Sequence, residues 1–358
     1  MDARESLKTL QALLPASGAG LGQAHAVHSA DTPSFFRFLV GNHLAGTLYW
    51  ILQETGAEDQ APRELVDRCK LFYLKQWGKN QTQLRLARQL RDAFAERSVD
   101  IVFLKGIFLA QRFYGSIEAR ATSDLDVLVR RPDIARAEEI LRAAGFIQRS
   151  RVLLSRDATI RFTHHFEYVR DSTELELHWA LAEHPAFRIR YPDLWDSRQQ
   201  LRLGEERFST LSDEYALVTQ VLGAFKDIEL GVSTLKPFVD LYWMLPQVDT
   251  SIEWSEFFDR RRAEGIARLT AAILGMTLAL FDCATRFPGL SECAFRHNGH
   301  QRIPSAGEAL ALASGKPKHS LENRRWAWAL YELNPLRSLG WWLASLPFRV
   351  AMTPGRQG

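Results

Sequence analysis

Asp124 and Asp126 stand one residue apart in Arg-Ala-Thr-Ser-Asp-Leu-Asp-Val-Leu-Val, residues 120–129, and few folds accommodate such a run. Leu125, Val127 and Val129 alternate with the acids, which predicts a strand. On a strand, residues i and i+2 share a face, so the two carboxylates project side by side and the apolar residues project the other way. Adjacent carboxylates repel, and a purely structural strand gains nothing from them. A divalent cation removes the conflict: Mg²⁺ takes carboxylate oxygens and usually brings substrate phosphates with it. The pattern therefore predicts a metal site built on a sheet.

The rest of the chain sets limits on that reading. Its 358 residues suffice for two or three domains or subdomains with a sizeable core. Apolar residues make up 46% and charged residues 24%, values ordinary for a soluble globular protein. A net charge of +3 argues against broad non-specific nucleic-acid binding. Cys69, Cys283 and Cys293 have no metal-ligand spacing, and any disulfide scheme leaves one over. They read as reduced thiols in a cytoplasmic setting. The first residues lack a signal-peptide pattern, and no apolar run reaches the roughly 18 residues a membrane span requires.

Residues 1–97 read as helical. Leu7, Leu10, Leu13 and Leu14 suit one amphipathic face. Asp31-Thr-Pro33 offers a cap and a first-turn proline for a helix through about Gln53. Pro62 opens a further helical stretch, broken near Gly78, that reaches about Glu96. The run from Gly18 to Gly22 follows no strand and is not a dinucleotide fingerprint. At Val99 the character changes. Val99–Leu104 predicts a strand and Ile107–Tyr114 a helix. A second strand follows at Leu125–Val129, then a helix from Pro132 to a cap at Gly145. Strands are expected near Phe146–Arg149, Ile160–Arg170 and Thr173–Trp179, with Asp171-Ser172 as a hairpin turn. From Leu211 onward the pattern is helical again, at about 211–227, 233–245, 252–262, 265–284, 305–313 and 321–332. The aromatic tail, Leu336–Met352, reads as a packed terminal helix, with an interfacial membrane anchor as the alternative. Ser314-Gly-Lys316 lacks phosphate-loop spacing. The expected fold is α+β: a mixed-sheet core at 98–182 between helical regions at 1–97 and 183–358.

A two-metal phosphoryl-transfer site needs a third carboxylate on a neighbouring strand. Glu174-Leu-Glu176-Leu-His178-Trp supplies candidates, because Glu174, Glu176 and His178 alternate onto one face. Lys105-Gly106 falls where a strand hands over to a helix. There free N–H groups favour phosphate, glycine permits close approach and lysine adds charge.

Together these residues carry a resemblance. Leu104-Lys-Gly106, Tyr114, Arg120-x-x-Ser123-Asp124-x-Asp126-x-Leu-Val, Gly145-Phe146 and Glu176-Leu-His-Trp179, in that order, resemble the uncharacterised bacterial nucleotidyltransferase family of the DNA-polymerase-β-like superfamily. The resemblance is dense over about 100–180. It implies that Asp124 and Asp126 bind the metals carrying a nucleoside triphosphate and that Glu176 completes the site for a second metal. Gly106 with Lys105 would hold the triphosphate, Ser123 would hydrogen-bond a phosphate oxygen, and Arg120 would bind phosphate or orient the acids. Lys226 and Lys236, from the following helices, are further candidates for the triphosphate, although Lys236 and Asp240 also make an i,i+4 pair. The chain departs from the superfamily in two places: Ile107 replaces a small residue after the glycine, and the third acid is Glu rather than Asp. The implied activity is transfer of a nucleoside monophosphate to an acceptor hydroxyl with release of pyrophosphate. It would use one or two Mg²⁺, with Mn²⁺ as a substitute. The acceptor would be a small molecule or peptide, with transfer RNA less favoured. Alternatives are a toxin-like enzyme modifying transfer RNA or protein, and a non-catalytic nucleotide sensor or scaffold.

Other residues have blander readings. His164, His165 and His178 could suggest a transition metal, but hydrogen-bonded strand histidines beside the site are the reading adopted. Phe187, Tyr191 and Trp195 could stack a base, but core packing is their commoner fate. Residues 205–207 read as a solvated turn.

Overall fold

The computed structural model describes residues 2–14, 31–149, 155–182, 187–231, 235–298, 305–313 and scattered positions between 326 and 343. The glycine run at 18–22, the Ser314-Gly-Lys316 segment, most of the 321–332 helix and all but two positions of the aromatic tail lie outside the described residues.

Four helices lead the chain: α1 (Ala3–Leu13), α2 (Thr32–Gly41), α3 (Ala45–Glu54) and α4 (Arg63–Glu96). Asp2 and Glu5 form a reciprocal capping box at α1. The Asp31 carboxylate accepts from the Ser34 N–H at the start of α2. The single helix expected through Gln53 is two. Asn42 donates its side-chain N–H to the Phe38 carbonyl, and His43 takes the left-handed region at φ 58°, which ends the helix. Conversely, α4 runs unbroken through Gly78 for 34 residues. An interior glycine costs about 1 kcal/mol relative to alanine. Buried positions on both sides of it, from Cys69 and Gln76 to Leu84, Leu90 and Phe94, outweigh that cost.

The sheet follows. Its strands are β1 (Val102–Phe103), β2 (Asp124–Leu128), β3 (Ile147–Gln148), β4 (His165–Arg170), β5 (Thr173–His178), β6 (Gln199–Leu203) and β7 (Glu206–Thr210). They form one seven-stranded mixed sheet in the order β3-β4-β5-β2-β1-β7-β6. Between strands lie α5 (Gly106–Leu109), continued by a wider turn to Tyr114, then α6 (Ile134–Ala143), α7 (Arg156–Phe162) and α8 (Tyr191–Asp196). Leu125, Val127, Phe166, Leu175 and Leu177 all point to one face, where they are buried with Leu90 and Phe94 of α4 and Ile140 and Leu141 of α6. The acids therefore face the other way.

Three features differ from the sequence reading. Ile160 is helical, because Ser155 caps α7 by accepting from the Ala158 N–H at 3.1 Å. Residues 206 and 207 belong to a strand, not a solvated turn, and Glu206 pairs with Arg88 and Arg91 of α4. The sheet thus reaches residue 210, past the 182 at which the core was expected to end. Polar residues alternate with Leu201, Leu203 and Phe208 in β6 and β7, which masks them as strands.

Helices α9 (Asp213–Leu230), α10 (Lys236–Val248), α11 (Trp254–Ala263), α12 (Ala267–Leu280), α13 (Pro288–His297) and α14 (Ala306–Ala313) pack with α1–α3 around a second hydrophobic cluster. No helix among the described residues is long and apolar enough to cross a membrane. Cys69, Cys283 and Cys293 are free and buried. One ion pair is wholly buried there: Arg261 Nε donates to Glu264 at 2.7 Å, both residues 0% exposed, and Arg261 Nη1 reaches Glu214 at 2.9 Å. Glu264 also accepts from the Arg190 backbone N–H at 3.1 Å. Removing one partner of a buried pair strands a charge, so Glu264→Ala is expected to cost about 3–5 kcal/mol. Arg262→Ala, which breaks an exposed pair with Asp259, should cost less than about 1 kcal/mol. Denaturant midpoints of the two variants check the contrast.

Candidate active site

The strand register builds the site. β2 and β5 run parallel with Asp124 opposite Glu174, Asp126 opposite Glu176 and Leu128 opposite His178. β4 runs antiparallel to β5 with Glu167 opposite Glu176 and His165 opposite His178. Cross-strand partners share a face, so one row across three strands reads Asp126, Glu176, Glu167. The row beside it contains His178 and His165.

Side-chain geometry tightens this row. His178 Nε2 lies 3.0 Å from both Asp126 Oδ1 and Glu176 Oε2. Facing two acceptors, it carries the proton and donates to them. Asp126, Glu176 and His178 offer ligand atoms that all lie within 4.8 Å of one another. Asp124 shares their face but is held apart, its Oδ1 accepting from the Ser123 hydroxyl at 2.8 Å. Glu174, the other acid of its strand, pairs with Arg149 at 2.7 Å.

Charge states follow from this crowding. Burial, then the nearby Asp126 and Glu176, pushes the Asp124 carboxyl up to about 6. Burial opposes the charge on His178, but hydrogen bonds to Asp126 and Glu176 win and raise it to about 9. Glu176 is held well below the usual carboxylate range against its burial, by the charged His178 that donates to it and by Lys226, since burial keeps the His165 ring neutral. Burial would strip the Lys105 ammonium of its proton, but Asp126, Glu176 and Asp124 raise it instead.

The Lys105-Gly106 turn sits beside the acids through backbone pairing. The Leu104 N–H donates to the Asp126 carbonyl at 3.1 Å. Gly106 has φ 61°, a conformation that side chains resist, and an added Cβ would lie 3.6 Å from the Asp124 carbonyl oxygen. Lys226 on α9 acts electrostatically on Glu176 and His165. Lys236 opens α10; burial and then the Arg120 charge lower it to about 8, against Asp240 and Asp124. Lys236 is not the main partner of Asp240. That carboxylate accepts from Arg120 Nε at 2.9 and 3.0 Å and from the Tyr114 hydroxyl at 2.8 Å. Arg120 is thus a buried strut joining the loop before β2 to α10.

Three groups escaped the sequence reading. Glu167 joins the acidic row only through the hairpin register. Burial raises the Asp227 carboxyl, against the charges of Lys105, Lys226 and Lys236, which act on it. The third is a column of amides on α4. Gln76, Asn80 and Gln83 are buried. Gln76 donates to the Glu118 carbonyl. Asn80 donates to the Ile117 and Arg120 carbonyls at 2.6 and 3.0 Å, and Gln83 to the Asp124 carbonyl at 3.0 Å. The Thr122 hydroxyl closes the set at Asn80 Oδ1 and Gln83 Oε1. Their i, i+4, i+7 spacing on a helix face that otherwise turns apolar is the signal that marks them.

The histidines gather more closely than expected. Ring centroids of His164 and His165 lie 4.3 Å apart, those of His165 and His178 5.1 Å, and those of His164 and His178 5.6 Å. Phe187 and Tyr191 are half-buried and Trp195 is buried, packed against the apolar interior.

With this geometry, comparison with known proteins is decisive at the family level. Residues 28–282 match the model of a family described as uncharacterised nucleotidyltransferase. The chain belongs to that family. The matched span holds the sheet, both acid strands and Lys105, Lys226 and Lys236. No curated protein matches the chain. Among solved structures, that of the antibiotic-resistance factor ANT(2'')-Ia in solution is similar over 51% of this chain and 91% of its own. The identity is 14% and the TM-score 0.37.

Two outcomes follow from the site. Asn80→Leu leaves the Ile117 and Arg120 carbonyls without their donor, while the Thr122 hydroxyl keeps Gln83, so a loss on the order of 1–3 kcal/mol is expected. Hydrogen exchange should localise the loosening to 117–124. For His178, the folded-state value lies above the ordinary 6.5. Its stabilising contribution is complete below about pH 6.5 and is lost as pH rises through about 9. In metal-free protein, the stability gap between wild type and His178→Gln should therefore shrink over that window in denaturant titrations.

Proposed function

We propose that this nucleotidyltransferase moves a nucleoside monophosphate from a triphosphate to an acceptor hydroxyl, with Mg²⁺ held by Asp124, Asp126 and Glu176. The observation that carries the proposal is the parallel register setting Asp126 against Glu176, with Asp124 on the same face and Lys105-Gly106 alongside. The donor set fits the cation: carboxylate oxygens on a half-open sheet face suit a hard divalent ion better than a soft one. When bound, the metal neutralises triphosphate charge and lowers the pKa of a coordinated hydroxyl.

The chain's own groups supply the positioning. Lys105, Gly106 and Ser123 hold the phosphates, and Lys226 and Lys236 reach the triphosphate from α9 and α10. Arg120, fixed by Asp240 and Tyr114, holds the acid-bearing loop rather than binding phosphate freely. The acceptor oxygen forms a bond to the α-phosphorus, the bond to the bridging oxygen of the β-phosphate breaks, and pyrophosphate leaves with the pair. The acceptor's hydroxyl proton is released. The helical regions before and after the sheet form the cleft walls. The small net charge supports a small-molecule or peptide acceptor over transfer RNA.

Incubation with each α-labelled triphosphate, Mg²⁺ and a cell extract tests the reading. Label transfer should disappear with a chelator and fall by on the order of 10²–10³-fold in Asp126→Asn, with unchanged circular dichroism. Full activity in that variant would overturn the assignment. Triphosphate binding that raises Tm equally with and without Mg²⁺ would favour a sensor instead.

A further inference from the structure

Beside the acids lies a second group of metal-ligating atoms with a different chemical character. His164, His165 and His178 offer ring nitrogens that all lie within 4.8 Å of one another. All three residues are buried, with exposures of 7%, 7% and 4%. Two come from the start of the β4–β5 hairpin and one from its end, so the register that pairs His165 with His178 also creates the cluster.

Buried imidazoles ordinarily satisfy both nitrogens. Here the Nδ1 atoms of His165 and His178 are buried and have no hydrogen-bond partner among the described residues. The opposite nitrogen of His178 is engaged, since its Nε2 faces Asp126 and Glu176 at 3.0 Å. His165 Nε2 is turned towards Glu176 Oε1 at 3.7 Å. A histidine that binds a metal through one nitrogen usually donates the other N–H to a carboxylate, which fixes the tautomer and strengthens the ligand. His178 has that arrangement already, and a metal at its unpartnered Nδ1 would displace the second proton of the imidazolium while the Nε2–H stays on Asp126 and Glu176.

We propose that His164, His165 and His178 form a binding site for a borderline transition ion such as Zn²⁺ or Co²⁺, separate from the Mg²⁺ site and sharing Asp126 and Glu176 as orienting carboxylates. Ligand chemistry separates the two sites. Imidazole nitrogen suits Zn²⁺, Co²⁺ and Ni²⁺, whereas Mg²⁺ takes oxygen. Bonds to zinc of about 2.0–2.1 Å set the geometry the three nitrogens, all within 4.8 Å of one another, would have to close to. Three protein ligands leave one coordination position open, the pattern of zinc sites that bind a further ligand. The ion would clamp both ends of the hairpin bearing Glu176 and so hold Asp126 and Glu176 in register.

The test reads metal uptake, not turnover. Full-length protein stripped with a chelator is titrated with Co²⁺ in excess Mg²⁺, following visible absorption and bound metal by mass spectrometry. The expected result is one equivalent of Co²⁺ with four-coordinate absorption, displaced by Zn²⁺. His165→Gln and His164→Gln, checked for folding by circular dichroism, should each weaken uptake by about tenfold or more, at least what loss of an outer-shell partner costs. Asp124→Asn, which disables the acid site, should leave uptake intact, so the two sites can fail independently. The proposal is overturned if stoichiometric uptake is absent in excess Mg²⁺. It is equally overturned if folded histidine variants bind as wild type, or if Asp124→Asn abolishes binding.

Discussion

The column of buried amides on α4 is the constraint on which the site depends. A side-chain amide sealed from water must find partners or cost free energy comparable to a lost hydrogen bond. Asn80 and Gln83 find theirs in the carbonyls of residues 117, 120 and 124. The loop entering β2 has no regular structure of its own, so these bonds stand in for a ladder. They fix where β2 begins and therefore which residues lie on its polar face. The buried Arg120–Asp240 pair fastens the same loop to α10 from the other side.

With β2 placed, the remaining geometry is a matter of register. Strand side chains alternate, so a slip of one residue would send both aspartates into the apolar layer. Leu125, Val127, Leu175 and Leu177, packed under α4 and α6, make that slip costly. The apolar face thus holds the polar face in alignment. The acids repel one another, and His178, Lys105 and the two lysines of the following helices offset that repulsion. The face is a densely charged surface of mixed sign.

Local pattern was legible in the sequence, and long-range pairing was not. The acid-x-acid alternation of residues 124–126 and the second alternation at 174–178 were readable because period two is a local property. The glycine at 106 was readable because the strand-to-helix turn needs it. The strands at 199–210 were missed because their outward residues are polar and Gly204 read as mere punctuation. Glu167 and Asp227 were missed for another reason. Each is an ordinary surface-type acid until the β4–β5 register or the approach of α9 gives it neighbours, and no spacing in the chain encodes that. Arg120 was read as a cation for phosphate or for orienting the acids, and its hydrogen-bonded partner is a carboxylate on a distant helix.

The strand order has a consequence for the order of assembly. β2 lies against β5, with Asp124 opposite Glu174, and β1 lies against β7, with Phe103 opposite Thr210. Neither pairing can form until the later strand has been synthesised, and such non-local contacts form slowly. A nascent chain that has just produced α4 exposes its amide column with nothing to bind. Chains of intermediate length therefore carry the aspartates without the geometry that makes them a site. The acid-bearing face is completed late, when the sheet closes.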